Sequence, residues 1–250
     1  MRRGLPPGGG LNGRHLRMLL PLALAVWQHV QRLDFIPYAT LATLALNVYV
    51  FLHTTGHSVL PYCVSAAKVL GRSSGSSFHV LLASTFVHAD HAHLYYNALS
   101  FLHKGAQLER QAGAGGLLLL LLQCCALTPV LYVALQAAGS AAAPQLFSRS
   151  ACAVGFSGVI FALKVVCQHR FPAPGAVLGV PLPPQLLAWG ELALISLLSP
   201  HASFVGHLAG ILAGLALVHG GALLEGAAAA GAAAARGGGG GRRVVGGRLD

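Results

Sequence analysis

Along this chain the apolar residues fall in blocks, with polar residues gathered between the blocks rather than alternating with them. Residues 16–30 form the first block. It is short, and Gln28, His29, Gln31, Arg32 and Asp34 close it, so it suits the membrane interface or packing against other helices better than a full crossing. Residues 38–52 read as a first span. A polar loop follows, with Lys68, Arg72 and a Ser/Gly run at 73–77, and then 78–87 is apolar again. The stretch from His88 to Asn97 leads into a second span that ends at Lys104, Glu109 and Arg110. No formally charged residue occurs between Arg110 and Arg149, which accommodates a third span at 113–139. A fourth span runs from about Cys152 to Gln168. After a Pro-rich link at 171–184 come a short fifth span at 185–198 and a sixth at 203–218. The pattern predicts an all-α membrane protein with six transmembrane helices. It divides the chain into an N-terminal segment (1–34), a six-helix domain (35–220) and an Ala/Gly/Arg tail (221–250) that has too few apolar side chains for a core.

Composition agrees: 55% of the residues are hydrophobic and 9% charged, outside the range of soluble domains. The 16 Lys and Arg outnumber the 6 Asp and Glu, but they are scattered among apolar runs without interleaved aromatics. Nucleic acid is therefore not an expected partner, and the charge reads as topology in a lipid bilayer. With a cytosolic N-terminus, six spans put Arg2, Arg3, Arg14, Arg17, Arg32, Lys104, Arg110, Lys164, Arg170, Arg236, Arg242, Arg243 and Arg248 on the cytosolic side. Lys68, Arg72 and Arg149 fall on the other, a split of 13 to 3. Both termini are then cytosolic. The basic N-terminus precedes no small-residue cleavage site, which favours a signal anchor over a removed signal peptide. Five cysteines, at 63, 124, 125, 152 and 167, form no CxxC pair, so neither a disulfide framework nor a zinc ribbon is expected.

The chemistry centres on Ser157, which lies between Gly155 and Gly158 and opens the fourth apolar run. Gly155 can take a positive φ, and Gly158 lets another helix approach closely. A serine so placed has a bare hydroxyl beside the free N–H groups of a helix N-terminus, a nucleophile and an oxyanion cradle. The same Gly-x-Ser-Gly pattern also serves plain helix packing in membranes. His207 weighs against that reading. It shares a helical face with Gly210 and Gly214, which would bring its imidazole close to a neighbouring span. If that neighbour is the fourth span, His207 can take the Ser157 proton. Asn97 and His93, four residues apart, share another face and offer side-chain donors to an oxyanion; an interhelical hydrogen bond is the plainer role for Asn97.

Other chemistries fit less well. His88, His91 and His93 have only Asp90 as a nearby carboxylate and no neighbouring cysteine, too few ligands for zinc, so no metal is expected. The three aspartates (34, 90 and 250) lie outside the spans, which argues against a two-aspartate site. Glu191 is the one carboxylate at membrane depth. It either orients His207 or is a protonated or paired packing residue.

Gly155-Phe156-Ser157-Gly158, the His93–Asn97 run, Leu108-Glu109-Arg110, and Gly206-His207 followed by Gly210 and Gly214 together resemble the rhomboid intramembrane serine proteases, nearest their endoplasmic-reticulum branch. The resemblance covers about residues 35–220. It implies a six-transmembrane-helix rhomboid-like bundle, a Ser157/His207 dyad, and an oxyanion hole using Asn97 and His93. It also implies cofactor-free cleavage of membrane-anchored proteins in or beside their transmembrane segments, in endoplasmic-reticulum proteolysis or quality control. Three features depart from the family pattern. Phe161 stands where a tyrosine commonly packs under the histidine, and no Trp-Arg pair is evident in the first loop. The tail lacks segments matching the ubiquitin-binding and AAA-ATPase-binding motifs of relatives, which puts coupling to those partners in doubt. The rival is a catalytically inactive, derlin-like scaffold for binding or dislocation. Such relatives lack the serine or the histidine, and both are present here.

Overall fold

The computed structural model of the chain describes residues 13–71, 79–199 and 202–237. The Ser/Gly run at 73–77, the far N-terminus and residues 238–250 lie outside them. The first block is the helix α1 (Gly13–Val30), which lies against α5 (His91–Gly139) and contributes Leu22 to the core while Leu20, Leu24 and Trp27 stay exposed. α2 (Tyr38–Thr54) follows Pro37, which has no side-chain donor or acceptor to cap it. The cap comes from across the fold. The buried Glu109 carboxylate accepts from the backbone N–H groups of Ala39 and Thr40, each at 2.8 Å, and from Thr40 Oγ1 at 2.7 Å. An anion at a helix N-terminus satisfies orphan donors and is favoured by the helix dipole. One turn before Glu109, a Cβ on Gly105 would stand 2.8 Å from the Thr40 side chain, so glycine is what lets α2 come this close.

The second and third apolar runs are the two arms of α5, a 49-residue helix broken at Gly113 (φ 72°, ψ 171°), a backbone conformation open to glycine. The Asp90 carboxylate caps its start by accepting from His93 N–H at 2.8 Å. α5 is long and apolar enough to cross a membrane. α2, α7 (Pro184–Leu198) and the 204–220 part of α8 (Phe204–Gly237) are shorter apolar helices. At the centre is α6 (Ser157–Arg170), in which every residue from Gly158 to Cys167 is buried. A helix apolar almost all round must be wrapped by others, and α8, α5 and α7 wrap it, α8 most extensively. The backbone of α8 stays helical to Gly237, through the Ala-rich start of the expected tail, where alanine's high helix propensity is sufficient cause. The Pro-rich link holds an element not expected, a hairpin of β1 (Gly175–Val177) and β2 (Val180–Leu182). Leu178 (φ 51°) and Gly179 (φ 78°) make its two-residue turn, both with the positive φ that matches strand twist.

Two sequence readings need correction. The first concerns cysteine: Cys63 and Cys152 form a disulfide, with Cα atoms 5.5 Å apart across 89 residues. Neither residue lies in a paired motif, and only the tertiary fold brings them together. Around them, Val64 and Ala153 exchange backbone hydrogen bonds at 3.0 Å. Nearby, the buried Gln136 amide accepts from Ala66 N–H and donates to the Ala151 carbonyl, both at 2.8 Å. The loop after α2, with α3 (Ala66–Leu70), is thereby tied to the segment just before Ser157. Cys63→Ser should cost about 2–5 kcal/mol, the usual range for a native disulfide. Thermal unfolding should show a midpoint lower by on the order of 10 °C; an unchanged midpoint would mean the bond constrains nothing.

The second concerns Lys164, placed above among the cytosolic charges. It is buried inside α6 and forms an ion pair with Glu191 of α7. A charge this deep is tolerated because it is paired. Glu191 is thus a paired residue.

Candidate active site

Ser157 is the first residue of α6, reached through a chain reversal at Gly155. Gly155 has φ 118°, and its N–H donates to the Ser84 carbonyl at 2.8 Å, which fixes the turn to α4 (His79–Phe86). A Cβ here would meet the His93 ring, 2.6 Å from Nε2, and would lie 3.6 Å from Asn97 Nδ2. Glycine is thus required twice over, by conformation and by the close approach of both side chains. His93 and Asn97 stand beside the turn that presents Ser157, on one face of α5 as the spacing predicts. Asn97 Nδ2 is buried and donates no hydrogen bond.

From α8, His207 reaches across to α6 and places Nε2 3.0 Å from Ser157 Oγ. The imidazole is buried, and among the described residues its Nδ1 has no hydrogen-bond partner and no carboxylate orients it. The ring stacks instead on Phe161, one turn beyond Ser157, with centroids 4.6 Å apart and planes 25° apart. The backbone contact between α6 and α8 makes this reach possible. A Cβ on Gly210 would collide with the carbonyl of Gly158, and one on Gly214 would stand 2.6 Å from the carbonyl of Ala162. Gly158 is equally confined, its added Cβ falling 2.7 Å from Thr128 Cγ2 and 3.2 Å from the Gly206 carbonyl. The Ser203 hydroxyl accepts from Gly206 N–H at 3.0 Å and caps α8 just ahead of His207.

A small cavity of about 40 Å³ borders Ser157, lined in part by Ser84, Thr128, Tyr132, Gly155 and Ser203. It is wide enough for a water molecule and has polar atoms to hold one. The histidine cluster at the start of α5 points in several directions. His88 meets His93 edge-on at 5.1 Å, while His91 packs on Phe51 at 4.9 Å. Among the described residues, no three His, Cys, Asp or Glu side chains converge on a common point.

The fold therefore brings together Ser157, His207, Phe161, His93 and Asn97, together with the four glycines singled out above. Sequence reasoning missed Thr128, the Ser84 carbonyl and the disulfide that steadies the strand before Gly155. It also left Lys164 and Glu191 unconnected. Their signal was present: opposite charges inside two consecutive apolar runs.

Comparison with known proteins places these elements in a wider group. The family model described as the rhomboid domain matches residues 75–222. Rhomboid-related protein 4 of Homo sapiens is 42% identical over 186 residues, covering 74% of this chain and 58% of that protein. Rhomboid-like protein 14, mitochondrial, of Arabidopsis thaliana is 33% identical over 225 residues, 85% of this chain and 62% of that one. Rhomboid-like protein 15 of the same plant is 26% identical over 195 residues, covering 74% and 47%. The chain thus spans less than two thirds of the length of each of these relatives.

Proposed function

Because the chain belongs to the rhomboid family, we propose that it is an intramembrane serine endopeptidase of six transmembrane helices, with Ser157 as nucleophile and His207 as its base. The observation that carries the reading is the 3.0 Å approach of His207 Nε2 to Ser157 Oγ, made between helices fifty residues apart in sequence. That geometry lies within the reach required of a nucleophile and its base. As Ser157 Oγ attacks a substrate carbonyl, its proton passes to His207 Nε2. The oxyanion that forms meets the N–H groups at the start of α6 and the donors of Asn97 and His93. His207 then returns the proton to the leaving amine, and an acyl ester remains on Ser157. A water entering through the adjoining cavity gives its proton to the same imidazole and attacks the ester; the acyl–oxygen bond breaks, and His207 returns the proton to Ser157 Oγ. Phe161 keeps the imidazole facing Ser157 where a carboxylate would do so in a triad. The substrates are transmembrane proteins cut in or beside their spans, since the hydroxyl lies at the end of a helix buried in the bundle.

For location we propose the endoplasmic-reticulum membrane with both termini cytosolic. The distribution of Lys and Arg supports this. So does the Cys63–Cys152 disulfide at the Ser157 end, a bond that persists in oxidising compartments. The test is cleavage of a single-span membrane protein by the purified chain in liposomes, together with labelling of Ser157 by a fluorophosphonate. Failure of both in a folded protein would leave the inactive-scaffold reading in its place.

The α6–α8 contact gives a further expectation. Gly210→Val should lower the cleavage rate by on the order of 10², the cost of about an ångström of misplacement. Gly210→Ala should also be damaging, because the first added carbon already runs into the Gly158 carbonyl. Leu212→Val, on a half-buried position away from that contact, should remain close to wild type. Rates at matched protein amounts decide, and a wild-type rate for Gly210→Val would mean the dyad is not assembled across this face.

A further inference from the structure

His207 has an orientation problem that the dyad alone does not solve. Among the described residues its Nδ1 has no partner, so no hydrogen bond from its far side fixes the ring, and the Phe161 stack takes on that task. Such a stack is a weak interaction, so it holds the imidazole no more firmly than Phe161 itself is held. Something must hold Phe161. Its apolar neighbours on the α7 and α8 side are Ala188, Leu192 and Ile211. It also has a charged neighbour: Lys164 Nζ lies 4.3 Å from the centroid of its ring. Ser157, Phe161 and Lys164 follow one another at i, i+4 and i+7, so one face of α6 carries the nucleophile, the stacking ring and the cation in sequence.

A cation over an aromatic ring is attracted by the ring's quadrupole, more strongly when desolvated, and Lys164 is buried. Glu191, reaching over from α7, forms an ion pair with it, so the lysine head is held between the Phe161 ring and a carboxylate. The Lys164 side chain is buried while that of Glu191 is 37% exposed, and the cost of desolvating a buried charge can exceed what its pairing returns. Its cost makes sense where a position has to be specified.

We propose that Lys164 and Glu191 are positioning residues for the Ser157–His207 pair, acting through the Phe161 ring. Glu191 fixes the lysine head, the lysine head pins Phe161, and Phe161 sets the tilt of the imidazole toward Ser157 Oγ. Neither residue touches substrate or a reacting atom. The pair also ties α7 to α6 at the depth of the stack, so a shift of α7 would be felt at His207.

This inference rests on the protease reading, and its test separates the two. The variant of choice is Lys164→Met with Glu191→Gln, which leaves no unpaired charge and preserves the lysine stem. It should unfold at or above the wild-type temperature. Its kcat should fall about tenfold at unchanged KM, and fluorophosphonate labelling of Ser157 should slow by the same factor, because labelling reports activation of the hydroxyl without any peptide substrate. Each single variant should lose about as much as the double, since the pair acts as a unit. Lys164→Arg, which keeps a cation on the ring and a partner for Glu191, should recover most of the rate. In a Phe161→Leu background the double substitution should have no further effect.

A wild-type protein that neither cleaves nor labels would remove the protease reading itself. A wild type that labels, beside a double variant that labels and cleaves equally fast, would overturn the positioning role alone. A raised KM at unchanged kcat would also overturn it, by showing the pair to contact substrate. So would a loss in the Phe161→Leu background as large as in the native one.

Discussion

Ser157→Ala should leave the purified protein folded and reduce cleavage by at least on the order of 10⁴, to background in an ordinary assay. The hydroxyl is the only nucleophile at the start of α6, and alanine suits a helix N-terminus without disturbing Gly155 or Gly158. The fold should survive because the one hydrogen bond lost, between α6 and α8, is worth about 1 kcal/mol, small beside the backbone-close packing of the same two helices. His207→Ala should cost nearly as much, since without Nε2 the hydroxyl keeps its proton as it attacks. Combining the two should cost little more than either alone, as expected of residues that act as one unit. Cleavage of a single-span substrate in liposomes measures the rate, and thermal unfolding checks the fold. Turnover by purified Ser157→Ala at a rate near wild type would sink the mechanism, whatever His207 did.

Asn97→Ala should lower kcat by on the order of 10²–10³, the loss seen when one oxyanion donor is removed, and should change KM little. The donor acts where charge develops, in the transition state rather than on the bound substrate. The resting structure separates this role from a structural one. Asn97 Nδ2 is buried beside the Gly155 turn and makes no hydrogen bond. An interhelical tie would show a partner, and breaking it would lower stability. A buried unpaired donor has the opposite signature, because removing it relieves a desolvation cost. The variant should therefore unfold no earlier than wild type while cleaving far more slowly. Equal activity, or a lowered unfolding temperature with proportionate loss of rate, would return Asn97 to the structural role.

Much of this protein is legible along the chain because membrane-spanning helices announce themselves locally. An apolar block of the right length must be a helix when no water is present to satisfy its backbone. The blocks at 38–52 and 113–139 accordingly lie within α2 and the second arm of α5, and the block at 203–218 lies in α8 from its second residue on. The pairing of Ser157 with His207 was legible for a related reason. Glycine at 155, 158, 210 and 214 signals where backbones must turn or touch, and polar residues set among such glycines have few places to go. Four-residue spacing likewise put His93 and Asn97 on one face.

Tertiary structure alone decided the rest, wherever a residue's meaning lies in a partner far along the chain. Cys63 and Cys152 carry no motif; the fold brings their Cα atoms to 5.5 Å. Glu109 reads as one of the charges that close a span, yet its carboxylate caps the start of α2, seventy residues away. Lys164 shows the limit most clearly. In sequence it is one more positive charge to be counted on the cytosolic side. In the bundle it is a buried cation, placed by the pitch of α6 against Phe161 and neutralised from α7 by Glu191. A charge obeys the rule of its surroundings, topology in a loop and pairing in the interior, and only the packing of α6 against α7 fixes which surroundings Lys164 has.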